Sequence, residues 1–106
     1  MLSLGHLTVD FRGPMGHTMQ VEFFGLPRER AGVSALEIRA STLGQLLKNL
    51  AAQIPAMGEF ISANGQGARL HPVFVANLNG DRFVTDPETP LRYEDHLLIL
   101  SADAGG

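Results

Sequence analysis

One segment in the middle of the chain has the period of an amphipathic helix, and it limits the folds that the chain can adopt. In STLGQLLKNLAAQIP the apolar residues recur at helical spacing, which places them on one face. These residues are Leu43, Leu46, Leu47, Leu50 and Ile54. Thr42 and Gln45 have the spacing of a capping box, and Pro55 marks the end of the helix. A helix with one apolar face must pack on another layer, which the rest of the chain has to supply.

The segments on either side of this helix alternate in the manner of strands. We predict strands near 18–24, 34–40, 73–78, 82–84 and 97–101. Asn79 and Gly80 give the strongest turn signal, because both residues accept the positive φ of a tight hairpin turn. The stretch LPRERAGVS is predicted as the loop of the first hairpin, and residues 56–69 as a helical turn followed by a mobile loop.

This order of elements predicts an α+β fold, in which a mixed sheet of four to five strands packs on one main helix. Residues 18–101 are expected to form the domain and 102–106 a flexible tail. Residues 1–17 are an N-terminal extension that either adds a short strand or lacks regular structure. Leu46, Leu47 and Leu50 are expected to be buried against the inner face of the first and last strands.

Composition excludes several classes of function. The 106-residue chain has the size of one domain and contains no cysteine, which rules out disulfides and a thiol nucleophile and fits a cytoplasmic protein. Its eight Lys and Arg residues form no basic stripe and the net charge is −3, so nucleic acid is not an expected partner. The segment MLSLGHLTVDFRG is neither a signal peptide nor a membrane span, because it lacks a basic start and its apolar residues are interrupted.

No group of residues has the pattern of a catalytic or metal site. The four histidines, His6, His17, His71 and His96, have no metal-ligand spacing, and the acidic residues are scattered through turns. The glycine-containing stretches GPMG and ANGQG lack the lysine and the following helix of a phosphate-binding loop. We therefore expect no bound cofactor, no metal and no reaction carried out by the chain alone.

Four stretches carry a resemblance to a known family: VEFFGLPRERAG, LNGDRFV, TPLRYEDHLLIL and the terminal Gly105–Gly106. In this order and spacing the chain resembles the sulfur-carrier branch of the ubiquitin-like β-grasp family, and most of all the small subunit of molybdopterin synthase. The resemblance extends from about Met19 to Gly106. It implies a β-grasp fold and a carrier protein, which acts with enzymes rather than as one.

The resemblance also implies a role for the end of the chain. Gly106 would be adenylated by an ATP-dependent enzyme of the ubiquitin-activating type and converted to a thiocarboxylate, while Gly105 and Ala104 follow it into the active sites. The carrier would bind no cofactor itself, and the sulfur would pass to the large subunit of molybdopterin synthase or to another sulfur-accepting enzyme. Sulfur transfer for thiamine or cysteine synthesis, conjugation to proteins through Gly106, and a non-covalent interaction module with a frayed end remain alternatives.

Alternation in the last strand predicts a docking surface for those enzymes. If Leu97 and Ile99 pack under the helix, Leu98 and Leu100 face outward, and Phe24 lies on the same side of the first strand. Val75, with Val73, would extend this patch, and Arg28 and Arg30 would lie near its rim, either to pair with acidic groups or to solvate the loop. A longer N-terminal strand or a second copy of the chain could cover the patch instead.

Overall fold

The computed structural model describes residues 17–64 and 67–105. The predicted helix is α2, Leu43–Gln53, and it begins with the expected cap. Gln45 N–H donates to Thr42 Oγ1 over 3.2 Å, while Gln45 Oε1 accepts from Ser41 N–H over 2.6 Å. Pro55 starts a 3-10 helix over Pro55–Phe60, so the predicted end of α2 and the helical turn after it are both confirmed.

The predicted strands are present with small shifts at their ends, and the structure adds two more. The full set is β1 (His17–Phe23), β2 (Ala35–Ala40), β3 (Ile61–Asn64), β4 (Gly67–Leu70), β5 (Phe74–Leu78), β6 (Arg82–Val84) and β7 (His96–Ser101). Two further helices are short: α1 covers Leu26–Ala31 and α3 covers Ala102–Gly105. The expected α+β class is therefore confirmed, with α2 as the main helix.

Within the described residues the main sheet has five strands in the order β2-β1-β7-β5-β6. Strand β7 is central: it runs parallel to β1 and antiparallel to β5. The two hairpins β1–β2 and β5–β6 are antiparallel and complete the sheet. The first and last strands of the domain are therefore neighbours, and the chain leaves the sheet from its centre.

Two loop predictions were wrong. The stretch LPRERAGVS contains the six-residue helix α1, which begins after Gly25 and ends at Gly32 in the left-handed conformation. The second correction concerns the mobile loop expected before residue 70. Instead of a loop, β3 and β4 pair there as a separate antiparallel ribbon. Both elements are short, and each packs against larger ones: α1 against β7 and β1, and β4 against α2.

The core lies between α2 and the inner face of the main sheet. Leu46, Leu47 and Leu50 are fully buried, as predicted. They belong to one cluster with the inward residues Met19, Val21, Phe23, Ile38, Phe74, Ala76, Leu78, Leu97 and Ile99. No buried residue in the described part of the chain is polar or charged. None of the described helices is long and apolar enough to cross a membrane.

The end of the chain differs from the expected flexible tail in one respect. The backbone of Ala102–Gly105 forms one helical turn, which packs against β7 and β5. Ala102 N–H donates to the Val73 carbonyl over 2.8 Å, so the first residue of the tail is tied to the sheet. Gly106 and the N-terminal extension up to residue 16 lie outside the described residues, while His17, assigned to that extension, begins β1.

Candidate functional site

The candidate site is built on β7, which carries both the predicted docking residues and the root of the tail. Its side chains alternate as predicted: Leu97 and Ile99 are 0% exposed, whereas Leu98 and Leu100 are partly exposed on the outer face of the sheet. The inner residues are fixed by α2, which covers that face. The outer residues are not covered by α2, so β7 presents two partly exposed leucines on this face.

Neighbouring strands place two more predicted residues on this outer face. Val75 is opposite Leu100 in the β5–β7 ladder and is partly exposed. Phe24 follows β1 directly, donates its N–H to the Ile99 carbonyl over 2.9 Å, and is 54% exposed. Phe24, Val75, Leu98 and Leu100 therefore lie together, and we call them the outer cluster. Facing residues on paired strands are about 5 Å apart, close enough for one apolar surface.

Val73, predicted to extend the patch, and the two arginines predicted near its rim lie in different places. Val73 precedes β5 and is exposed, and its carbonyl holds the first residue of the tail. Arg28 is exposed on α1 rather than in a loop, and it lines a shallow depression with Gly25 and Gly32. Arg30, on the same helix, has its guanidinium 5.6 Å from the centre of the Phe60 ring. Arg30 thus contacts the 3-10 helix, and the rim position of Arg28 and Arg30 stays a prediction.

A polar pair borders the outer cluster on the side of the β2 edge. His96 Nε2 lies 3.3 Å from Glu22 Oε1, and both side chains are partly exposed. Glu22 is opposite Leu98 in the parallel ladder, so the pair adjoins the apolar residues directly. A partner that covers Leu98 must therefore also accommodate these two hydrophilic groups.

Two residues that the sequence did not single out belong to the same face. Asn77 is opposite Leu98 on β7 and opposite Phe83 on β6, and Phe83 is 54% exposed. The outer surface therefore continues across the sheet to its second edge. Alternation from Val75 could have indicated Asn77, since both share a strand and a face. Phe83 could not be placed in this way, because its side depends on the length of the turn before it.

The root of the tail lies beside α1. Ser101 ends β7, and its Oγ would be 3.8 Å from a Cβ atom built on Gly25, the residue before α1. The outer cluster, Arg28 and the tail therefore meet at one end of the sheet. The roles that the resemblance implies for the tail residues Ala104, Gly105 and Gly106 remain predictions.

The described residues offer little for chemistry at this site. They contain no group of three or more His, Asp or Glu side chains that could hold a metal ion. The site consists instead of an apolar face, a polar border and a peptide tail. Such a site can bind a protein and deliver the end of a chain.

The sheet order, the single main helix over one face and the tail after the central strand define a ubiquitin-like β-grasp fold. More particularly, the chain belongs to the ThiS family, whose model matches residues 21–106. The match covers the domain and the tail, and it leaves out the N-terminal extension. No curated protein sequence matches the chain.

Solved structures with the same fold include a small archaeal modifier protein and a molybdopterin converting factor subunit. The small archaeal modifier protein 1 of Methanosarcina acetivorans has a TM-score of 0.68 at 22% identity, over 85% of this chain and 97% of that one. A putative molybdopterin converting factor, subunit 1, of Pyrococcus furiosus has a TM-score of 0.64 at 17% identity, over 81% and 98%. A chain in the BexX/CysO complex of Amycolatopsis orientalis has a TM-score of 0.65 at 21% identity, over 83% and 99%. At these identities the likeness is one of fold.

Proposed function

We propose that the protein carries sulfur as a thiocarboxylate on Gly106 and donates it in molybdopterin synthesis, bound to the large subunit of molybdopterin synthase. The observation that carries this proposal is the family match, which includes the tail up to Gly106. The geometry agrees, because the tail follows the central strand and begins beside an apolar face. LNGDRFV and TPLRYEDHLLIL resemble the sulfur-carrier branch, whose best-known member is the small subunit of molybdopterin synthase, and this resemblance supports the choice of acceptor.

The proposed chemistry needs two steps, because a free carboxylate is a poor electrophile and must be activated before sulfur can be attached. In the first step a Gly106 carboxylate oxygen attacks the α-phosphorus of ATP, which forms an acyl-adenylate and releases pyrophosphate. In the second, hydrosulfide attacks the carbonyl carbon, and AMP leaves with the electron pair of the C–O bond. ATP is thus a substrate of the activating enzyme, and the carrier itself binds no cofactor.

Each part of the carrier has a task in this scheme. Gly106 provides the reacting carboxylate, and Gly105 and Ala104 are small enough to enter a narrow channel. The outer cluster and Arg28 bind the activating enzyme first and the acceptor afterwards. Use of one surface by both enzymes would make the two complexes mutually exclusive, so that the carrier passes from one to the other.

Intact mass spectrometry tests the proposal directly. The purified chain is incubated with an adenylating enzyme of the ubiquitin-activating type, ATP and sulfide. The expected product is heavier than the free acid by the difference between a sulfur and an oxygen atom. The product is then offered to the molybdopterin synthase large subunit with its pterin precursor, and to thiazole-forming and cysteine-forming synthases in parallel. Sulfur transfer only to one of the latter two would replace the proposed pathway, and absence of the mass change would reject the carrier function.

A second candidate function is conjugation to proteins. It is favoured by the names of the similar archaeal structures, which are called modifier proteins. The same activated Gly106 would then form an isopeptide bond with a lysine amine of the target, with loss of AMP. Digestion of cell protein and a search for lysines that carry the C-terminal peptide of this chain would reveal it.

A further inference from the structure

Asn77 occupies a central position on the outer face of the sheet. Its neighbours along β5, Ala76 and Leu78, are buried against the core, so Asn77 points to the other side. Across the sheet it lies between Leu98 on one neighbouring strand and Phe83 on the other. An amide thus interrupts a row of apolar side chains on the surface that we assign to docking.

The side chain of Asn77 is poorly satisfied in the free domain. Its carbonyl oxygen Oδ1 is buried and has no hydrogen-bond partner among the described residues. Asn79, two residues further on, provides the contrast: its Nδ2 donates to Asp95 Oδ1 and its Oδ1 accepts from His96 N–H, both over 2.9 Å. Because a buried carbonyl without a donor destabilises the folded state, the side-chain carbonyl of Asn77 does not serve the stability of the free domain.

The position of the tail limits which molecules can cover this residue. Eight residues separate Leu98 from Gly106, so even a fully extended tail reaches only about 27 Å from Leu98. An enzyme that holds Gly106 in an enclosed active site therefore lies within this distance of Leu98, and the adenylating enzyme is the first to do so in the proposed order of steps. Asn77 as a residue is partly exposed, so rotation about its side-chain bonds can turn the carbonyl toward such an enzyme.

We propose that Asn77 is a recognition residue, whose side-chain carbonyl accepts a hydrogen bond from an N–H group of the adenylating enzyme. The proposal rests on the proposed function, because that enzyme is the partner it names. The apolar row of Leu98 and Phe83 excludes water around the contact, which strengthens the hydrogen bond. A partner without a donor at this point leaves the carbonyl unpaired, so Asn77 discriminates between partners as well as adding affinity.

The test replaces the amide with an apolar group of similar size. Asn77→Leu removes the unpaired carbonyl, so its melting temperature should equal or exceed that of the wild type. The KM for the carrier in the adenylation reaction should rise about tenfold through loss of one hydrogen bond. The kcat should stay unchanged, since Asn77 does not touch the reacting carboxylate. Gln53→Leu is the matched control, because Gln53 is an exposed amide at the end of α2, which covers the opposite face of the sheet.

The outcomes separate this inference from the function on which it rests. Absence of adenylation of the wild-type chain would overturn both. Adenylation of Asn77→Leu with the wild-type KM would overturn the recognition role alone, as would a lower melting temperature, which would indicate a structural role. The wild type is also tested by sedimentation. If it sediments as a dimer and Leu98→Asp dissociates that dimer, a second copy of the chain occupies the face, and the proposal is overturned.

Discussion

Two adjacent leucines in β7 lie on opposite sides of the sheet, and this difference leads to a sharp prediction. Leu98 is partly exposed in the outer cluster. A carboxylate at this position remains solvated in the free domain but would be desolvated in an apolar interface, which is costly. We expect Leu98→Asp to retain the fold and to weaken binding to the adenylating enzyme by at least tenfold, as measured by calorimetric titration together with thermal unfolding.

Leu97→Asp is the matched control, because it introduces the same group one residue earlier. Leu97 is 0% exposed and belongs to the core cluster. An unpaired carboxylate there costs several kcal/mol, which is comparable with the whole stability of a small domain. We expect this variant to be largely unfolded by circular dichroism. The assignment of faces in β7 would be wrong if Leu98→Asp unfolded and Leu97→Asp did not.

Asn79 connects the β5–β6 turn to the segment that leads into β7. Its φ of 61° lies in the left-handed region, where asparagine is tolerated better than most residues. Its side chain also bonds to Asp95 and to the backbone of His96. Loss of two hydrogen bonds and retention of the strained backbone predict that Asn79→Ala lowers the free energy of unfolding by about 2–3 kcal/mol in urea denaturation.

Asn79→Gly separates the two contributions. It loses the same hydrogen bonds but accepts the left-handed backbone, so its loss should be smaller than that of Asn79→Ala by about 1 kcal/mol. Equal losses in the two variants would show that backbone strain contributes nothing at this turn.

The same turn shows how far the sequence could predict individual residues. The period-two pattern correctly divided Leu97 and Ile99 from Leu98 and Leu100. The faces of strand β6 were harder to predict from the sequence, because Leu78 pairs with Arg82 and leaves three residues in the turn. A strict two-residue turn would have placed Phe83 inward, and the extra residue reverses the face of every side chain that follows. Sequence alternation within three residues cannot reveal such a shift.

At the level of elements, the long amphipathic segment was predicted well and the short elements were not. Helix α2 has four leucines at helical spacing and an N-terminal cap, both local signals. Helix α1 has six residues, includes a proline and lies between glycines, so its local propensity is low and its packing on β7 and β1 must stabilise it. The β3–β4 ribbon was missed for a similar reason, since its stretch contains Gly65 and Gly67 and packs against α2 through contacts that are remote in sequence.

Gly44 sets the distance between α2 and the loop before β7. Its N–H donates to the Pro87 carbonyl over 2.9 Å, and a Cβ atom at this position would lie 2.9 Å from Pro87 Cβ. The proline cannot retreat without lengthening that hydrogen bond. Alanine favours helices by about 1 kcal/mol over glycine, whereas overpacking typically costs about 1–3 kcal/mol. We therefore expect Gly44→Ala to lower the free energy of unfolding by up to about 2 kcal/mol.

Gly58 in the 3-10 helix is the control for this substitution. A Cβ atom on Gly58 would have nothing within 4 Å. Gly58→Ala should therefore leave stability unchanged or raise it by up to about 1 kcal/mol through a less flexible unfolded chain. If urea denaturation showed Gly44→Ala to be as stable as Gly58→Ala, the contact with Pro87 would not limit the packing of α2.

At the scale of the whole molecule, the core and the proposed docking surface are on opposite sides of one sheet. The inner face and α2 form the core, and none of the four residues of the outer cluster belongs to it. The tail begins with Ala102 tied to Val73 and continues as a helical turn up to Gly105. A single turn of helix has little intrinsic stability, so entry of the tail into an enclosed active site requires only a modest rearrangement.

This separation predicts that changes at Gly106 abolish function without affecting the fold. Deletion of Gly106 moves the carboxylate back by one residue, and addition of one alanine after it displaces the carboxylate outward. We expect either variant to retain the wild-type melting temperature, because glycine has no side chain that could contribute to the core, and to give no thiocarboxylate in the intact-mass assay. Gly105→Val should slow activation without preventing it, because the branched side chain adds bulk and restricts the backbone. Full thiocarboxylation of the variant without Gly106 would end the carrier hypothesis, whereas a large fall in its melting temperature would show that the tail contributes to the folded domain.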